Sequence, residues 1–148
     1  MESIVYDKAF WFSIKIYNLY KYLVDDKKEL VISKQILRSG TSIGANIKEA
    51  LQAQSKKDFI CKMSIALKEA SETEYWLDIL KAVNLVESRD LYSVVGTCKE
   101  LNKMLIAIVK TTKERNYSWE LTIDRGHHSW ELTIDRGHHS WELTRDSG

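Results

Sequence analysis

The 148 residues contain no proline. Proline breaks helix interiors, so nothing in this chain enforces a break, and turns must come from polar runs. Cysteine is nearly absent: Cys61 and Cys98 are far apart, in no metal-binding or redox spacing. This excludes a disulfide scaffold, and both are expected as reduced, packed thiols. No apolar run approaches the ~20 residues a membrane span needs. The start, MESIVYDKAFWF, has an acid at position 2 and no apolar stretch leading to a cleavage site. No signal peptide is expected, and a cytoplasmic protein is the simplest inference. Histidine is missing from residues 1–117. A di-iron carboxylate site in a helical bundle needs Glu-x-x-His pairs, so that chemistry is excluded. A glycine-rich phosphate loop after a strand, a GxSxG turn and a Cys-His pair in the helical part are also missing. No catalytic residue, metal site or cofactor is therefore expected.

Charge is abundant, at 29% of residues, and unevenly spread. Residues 1–117 hold 19 Lys+Arg and 15 Asp+Glu; residues 118–148 hold 3 Arg, 6 Asp+Glu and all four histidines. The boundary near residue 117 separates a 1–117 domain from a 118–148 tail. The tail is a tandem repeat: SWELTIDRGHH fills 118–128, recurs at 129–139, and starts a third time. Its alternation of apolar and polar residues can make half-buried strands, with RGHHS as turns, but an isolated three-stranded ribbon is marginal. A poorly ordered tail is expected, with a small strand or helix extension as the alternative. His127, His128, His138 and His139 sit as adjacent pairs without a fixed third ligand, which points to adventitious metal affinity.

Residues 1–117 resolve into four stripes at helical period. The first is Val5, Ala9, Phe12, Ile16, Leu19 and Leu23. The second is Ile36, Gly40, Ile43, Ile47 and Ala50/Leu51. The third is Ile60, Met63, Leu67, Ala70, Leu77 and Leu80, interrupted by Glu74. The fourth is Leu91, Val94, Cys98, Leu101, Leu105 and Ile108. Polar breaks at 25–29, 54–58 and 83–90 separate them. Ser33, Ser55 (or Lys57-Asp58) and Ser88 are the expected start signals of helices two to four. Short connections predict an all-α, antiparallel up-down-up-down four-helix bundle.

Gly40 and Gly44 stand four apart within LRSGTSIGANIKEA, residues 37–50. Glycine inside a helix costs roughly 1 kcal/mol relative to alanine. Close helix packing would offset that; a subunit contact and a ligand pocket are the alternatives. Beside them, Ser39, Ser42, Asn46 and Glu49 share a face, next to Arg38. Glu69 and Glu72 occupy a comparable face of the third helix. A structural polar seam is expected, made of Arg38, Ser42, Asn46, Glu49, Glu69 and Glu72. In it Arg38 pairs with Glu69 or Glu72, and Asn46 or Glu49 bridges helices. Such a seam fixes register more than it adds stability.

Residues 37–80, LRSGTSIGANIKEALQAQSKKDFICKMSIALKEASETEYWLDIL, closely resemble the four helix bundle proteins, also called 23S rRNA intervening-sequence proteins. Arg38, Ser42, Ile43, Asn46, Ile47, Glu49 and Glu72 carry the match. Leu37 stands where many relatives have a second arginine, and Ala50 where glycine is common. The resemblance covers roughly residues 5–115 and leaves out the tail. It implies a non-catalytic accessory protein that forms a homo-oligomer and binds RNA or DNA. A related protein, the accessory variability determinant of diversity-generating retroelements, is a pentamer that binds nucleic acid and a reverse transcriptase. A pentamer and a reverse transcriptase or other protein partner follow by resemblance alone, and no membrane partner is implied. An oligomeric protein-interaction scaffold is the alternative.

The charge pattern gives this a location. In an up-down-up-down bundle the chain start, the 2–3 loop and the end of helix four share one end. Lys8, Lys56, Lys57, Lys110, Lys113 and Arg115 gather there against Glu2, Asp7, Asp58 and Glu114. The opposite end is net acidic, with Asp25, Asp26, Glu29, Glu87 and Asp90. Lys56, Lys57, Lys110, Lys113 and Arg115 are the expected phosphate contacts. Tyr6, Phe10, Trp11, Tyr17 and Tyr20, with Tyr75 and Trp76, exceed what one small bundle must bury. Core packing is the default for most of them, a self-association face is the next reading, and base stacking is a third.

Overall fold

The computed structural model describes residues 3–114, 120–124, 127–134 and 141–145. Four helices follow in order: α1 (Ile4–Asp25), α2 (Ile32–Ala50), α3 (Lys56–Ala82) and α4 (Ser88–Glu114). They pack antiparallel as a four-helix bundle, each sequential pair in contact and α1 closing against α4. Among the described residues, no helix is long and apolar enough to cross a membrane.

The starts of α1, α2 and α3 have local causes, whereas Ser88, the expected start signal of α4, is its first helical residue. Ser3 accepts the Tyr6 N–H at 3.2 Å and caps α1. Ser55 accepts the Asp58 N–H at 3.0 Å and caps α3, while the Asp58 carboxylate accepts from the Gln54 N–H at 3.3 Å. The α2 start differs from expectation. Ser33 lies inside the helix, fully buried, and its Oγ has no hydrogen-bond partner among the described residues. The cap is the Glu29 carboxylate, which accepts N–H groups from Val31 (3.2 Å), Ile32 (2.9 Å) and Ser33 (2.6 Å). A carboxylate at a helix N-terminus satisfies orphan donors and sits well in the helix dipole. Burial would raise the Glu29 pKa, but these backbone donors outweigh it and hold the carboxyl below its ordinary value.

The core follows the stripes of α1, α2 and α4, whose expected apolar members are buried. In α3 the stripe is displaced. The buried residues are Phe59, Met63, Ala66, Ala70, Thr73, Leu77 and Leu80, alternating four and three apart. Ile60 and Leu67 lie beside this row, half-buried, and Thr73 rather than Glu74 is its polar member. Thr73 is accommodated because its hydroxyl meets the Ser39 hydroxyl of α2 at 2.9 Å and the Glu69 carbonyl at 2.7 Å. Two buried hydroxyls that satisfy each other avoid the penalty of unpaired polar groups. Between α3 and α4, Asn102 has a similar role. Its amide donates to Glu74 at 2.8 Å and to the Ala70 carbonyl at 3.4 Å, and its oxygen accepts from Ser71 at 3.3 Å.

Beyond α4, β1 (Glu120–Asp124), β2 (His127–Ile134) and β3 (Trp141–Arg145) form an antiparallel sheet in the order β1-β2-β3. Leu121 is opposite Trp130, and Leu132 is opposite Leu143. The expectation of poor order falls in part on residues 115–119, 125–126, 135–140 and 146–148, which lie outside the described residues, as do His138 and His139.

Candidate functional site

The α2–α3 face carries the polar seam. Arg38 pairs with Glu69 at 3.3 Å and hydrogen-bonds Glu72. Both expected partners are engaged by one guanidinium. That bond to Arg38 holds the Glu72 carboxyl below its ordinary pKa, with burial opposing. The Trp76 indole N–H adds a weaker pull, although its nitrogen sits buried outside hydrogen-bonding geometry. Glu49 bridges to Lys62 of α3 at 3.0 Å. Asn46 does not bridge: its amide donates to the Ser42 carbonyl at 2.8 Å, one turn back in its own helix. Ser42 does likewise, donating to the Arg38 carbonyl at 2.7 Å. Short polar side chains prefer such local backbone bonds when no partner lies within reach. With Arg38 occupied by two carboxylates, the seam clips α2 to α3 and leaves no free guanidinium for a phosphate.

Gly40 and Gly44 both face α1. A Cβ at Gly40 would stand 2.8 Å from both Cγ1 and Cγ2 of Ile16. A Cβ at Gly44 would meet the Ala9 backbone at 3.6 Å, an ordinary contact. Both glycines are buried, but only at Gly40 does α1 approach too closely for a side chain; Gly44 has room for a Cβ. Beside Gly44 a shallow cleft of about 190 Å³ is lined by Tyr6, Phe10, Ser13, Thr41, Ala45 and Lys48. Lys48 lies 5.9 Å from the centre of the Tyr6 ring.

The basic end is built by two helices and the loop between α2 and α3. Asn102 of α4 lies level with Ser71 of α3. Twelve residues further, at 1.5 Å per residue, the end of α4 comes level with the start of α3. Lys56 and Lys57 therefore share this end with Lys110 and Lys113. Lys57, Lys110 and Lys113 are exposed, and Lys56 is half-buried. Arg115 lies outside the described residues. Lys8 does not contribute as expected: its ammonium pairs with Glu100, partway along α4. That bond holds the Glu100 carboxyl below its ordinary pKa. Sequence spacing gives no hint of this pair, since the partners are 92 residues apart.

The thiols divide. Cys98 is fully buried, donates to the Ala70 carbonyl at 3.5 Å, and has its pKa pushed up to about 12 by burial and then by Glu74 and Asp78. Cys61, expected to be packed, is exposed on α3. It lies between the buried Phe59 and Met63, on the helix face turned from the core.

A family model described as "23S rRNA-intervening sequence protein" matches residues 1–107. Among solved structures, the chain is similar to a protein of unknown function from the S23 ribosomal protein family of Bacteroides thetaiotaomicron VPI-5482. The two are 56% identical, with a TM-score of 0.72; the match covers 73% of this chain and 100% of that one. No curated protein matches. The family match ends before Lys110, Lys113 and the tandem repeat.

Proposed function

The chain belongs to the 23S rRNA-intervening sequence protein family, and from that premise we propose that it is a non-catalytic, cytoplasmic, oligomeric accessory protein that binds the phosphate backbone of RNA or DNA through the basic end of its bundle. The observation that carries this reading is the convergence of Lys56 and Lys57 with Lys110 and Lys113 at one end, from helices far apart in sequence. Lysine acts on phosphate as a point charge, so binding is weakly sequence-dependent and falls steeply with salt. An oligomer multiplies the effect by bringing several such ends together.

The oligomer rests on α1. Phe10, Ile14 and Tyr17 are 46%, 42% and 51% exposed at four-and-three spacing, with Trp11 beside them at 64%. Exposed aromatic surface of this kind marks contact sites. It also supports the second reading, a scaffold whose partner is another protein.

An anisotropy titration with structured RNA and duplex DNA at low and high salt separates the readings. Reversing Lys56 and Lys57 to Glu should weaken binding and flatten its salt dependence. Removing residues 118–148, net acidic and attached at this same end, should leave affinity equal or higher. An oligomer that shows no low-salt binding to any nucleic acid would replace this reading with the scaffold.

A further inference from the structure

The outward face of α4 carries a row of lysines of which the basic-end reading uses only Lys110 and Lys113. Lys99, Lys103, Lys110 and Lys113 are all exposed and fall on one face, at intervals of four, seven and three residues. None makes an ion pair among the described residues. The seven-residue interval holds Ile106, 51% exposed on the same face. One turn before Lys99 lies Gly96, where an added Cβ would meet nothing within 4 Å. Packing among the described residues gives no reason for a glycine in the middle of this helix. A glycine there does let another molecule's backbone approach α4 closely. Acids are near but off the row: Glu100 is occupied by Lys8, and Glu74 by Asn102. Asp78 of α3 and Glu114 at the end of α4 remain exposed.

We infer that α4 lies across the major groove of duplex DNA, with Lys99 and Lys103 on one phosphate ridge and Lys110 and Lys113 on the other. This rests on the nucleic-acid reading above and gives it a surface and a ligand. At 1.5 Å per residue, Lys103 and Lys110 are about 10.5 Å apart along the helix. That is close to the ~12 Å width of the B-form major groove and well above the ~6 Å of its minor groove. A-form RNA presents a narrow major groove that a helix cannot enter and a minor groove that is wide but too shallow to receive a side chain such as Ile106 between its ridges. A single strand would call for aromatic rings interleaved with the lysines, and between Lys99 and Lys113 there are none. Ile106 faces the groove between the two ridges, and Gly96 admits the first ridge close to the helix. The lysines touch phosphate alone, so the surface selects the duplex form and not its sequence.

The test uses the full chain and a 20-base-pair DNA, titrated by anisotropy from 50 to 200 mM salt. The four α4 contacts contribute about −3.6 to the slope, or a factor of about 150 in the loss of affinity across that range, on top of what Lys56 and Lys57 add. Lys99→Gln with Lys103→Gln, and separately Lys110→Gln with Lys113→Gln, should each make that loss smaller by a factor of about 12. Lys34→Gln with Lys68→Gln, exposed lysines of α2 and α3, makes the same change of net charge and should leave the slope alone. Circular dichroism confirms that each variant is folded. If Lys99→Gln/Lys103→Gln binds as wild type while reversal of Lys56 and Lys57 weakens binding, the α4 surface is wrong and the basic-end reading stands. Tighter binding to duplex RNA than to duplex DNA through the same lysines overturns the choice of ligand. No binding at 50 mM salt overturns both readings.

Discussion

The hydroxyls of Ser39 and Thr73 meet at 2.9 Å in the core between α2 and α3, with neither residue exposed. Each also reaches a carbonyl of its own helix: Ser39 that of Gln35 at 2.9 Å, Thr73 that of Glu69 at 2.7 Å. With one proton apiece they can satisfy two of these three contacts at once. Thr73→Val removes one partner and should cost about 1 kcal/mol. Ser39→Ala should cost a similar amount, and the double variant less than the sum, because the pair is then removed together. Urea denaturation of all four proteins measures the coupling; strict additivity would show that the contact carries no energy.

The three glycines in helices should respond differently to alanine. At Gly40 the new Cβ collides with Ile16 near its β-branch, which cannot swing away. Overpacking of this kind costs about 1–3 kcal/mol, partly offset by a propensity gain of about 1 kcal/mol. Gly40→Ala should be net destabilising and Gly40→Leu more so. Gly44→Ala and Gly96→Ala meet no obstruction and should stabilise by about 0.5–1 kcal/mol. Equal melting temperatures for Gly40→Ala and Gly44→Ala would remove the close α1–α2 contact as an explanation.

Glu29 links stability to acid. Its folded-state pKa lies below the unfolded value, so its contribution is complete above the unfolded pKa and is lost as pH falls through the folded one. Glu29→Ala should cost about 1 kcal/mol at neutral pH, in the range of a lost N-cap. The gap between the two proteins should close below about pH 4, near the ordinary carboxylate pKa and lower. Thermal melts of both proteins from pH 7 to pH 3 would show this. A gap that persists unchanged at pH 3 would mean the cap acts without its charge.

The two thiols should differ in kinetics. Cys61 is exposed and should react with a thiol reagent in the native state. Cys98 is buried, its pKa pushed up to about 12, so almost no thiolate is present at neutral pH. It should react only as the bundle opens. Native labelling with stoichiometry near one, rising to two in denaturant, is the expected result.

Much of this was readable in the sequence, and the exceptions have physical causes. Rows such as Phe12–Ile16–Leu19–Leu23 use large apolar residues against polar neighbours, so their period stands out. In α3 the core row contains Ala66, Ala70 and Thr73, while Ile60 and Leu67 sit one position off it, so the larger side chains mark the wrong row. Ser33 is a better cap by residue type than Glu29. The longer carboxylate, however, reaches three donors from outside the helix, which residue preference cannot show. Arg38 with Glu69 and Glu72 was legible because adjacent helices in sequence must be adjacent in space. Lys8 with Glu100 was not, because it joins the two ends of the fold. The α4 lysine row was not read from the sequence, because only a bundle with α4 in place shows which face of that helix looks outward.

The contact between α1 and α4 has a consequence for how the chain folds. The three larger helix contacts, α1 with α2, α2 with α3 and α3 with α4, each close a short connection, as in a hairpin, at little entropic cost. This one joins residues as distant in sequence as Lys8 and Glu100, 92 positions apart, and is made in part by polar side chains: Lys8 on Glu100, and Lys15 on the hydroxyls of Ser93 and Thr97. Closing a long loop must be entropically compensated before its contacts contribute. The three hairpins should therefore form first and α1 should dock on α4 last. Leu19 and Val94, which line the groove of about 330 Å³ at this seam, would then be unformed at the barrier. Truncating either to Ala should speed unfolding and leave the folding rate nearly unchanged. The seam is thus a latch: set after the rest of the bundle is assembled, and the first place from which it is released.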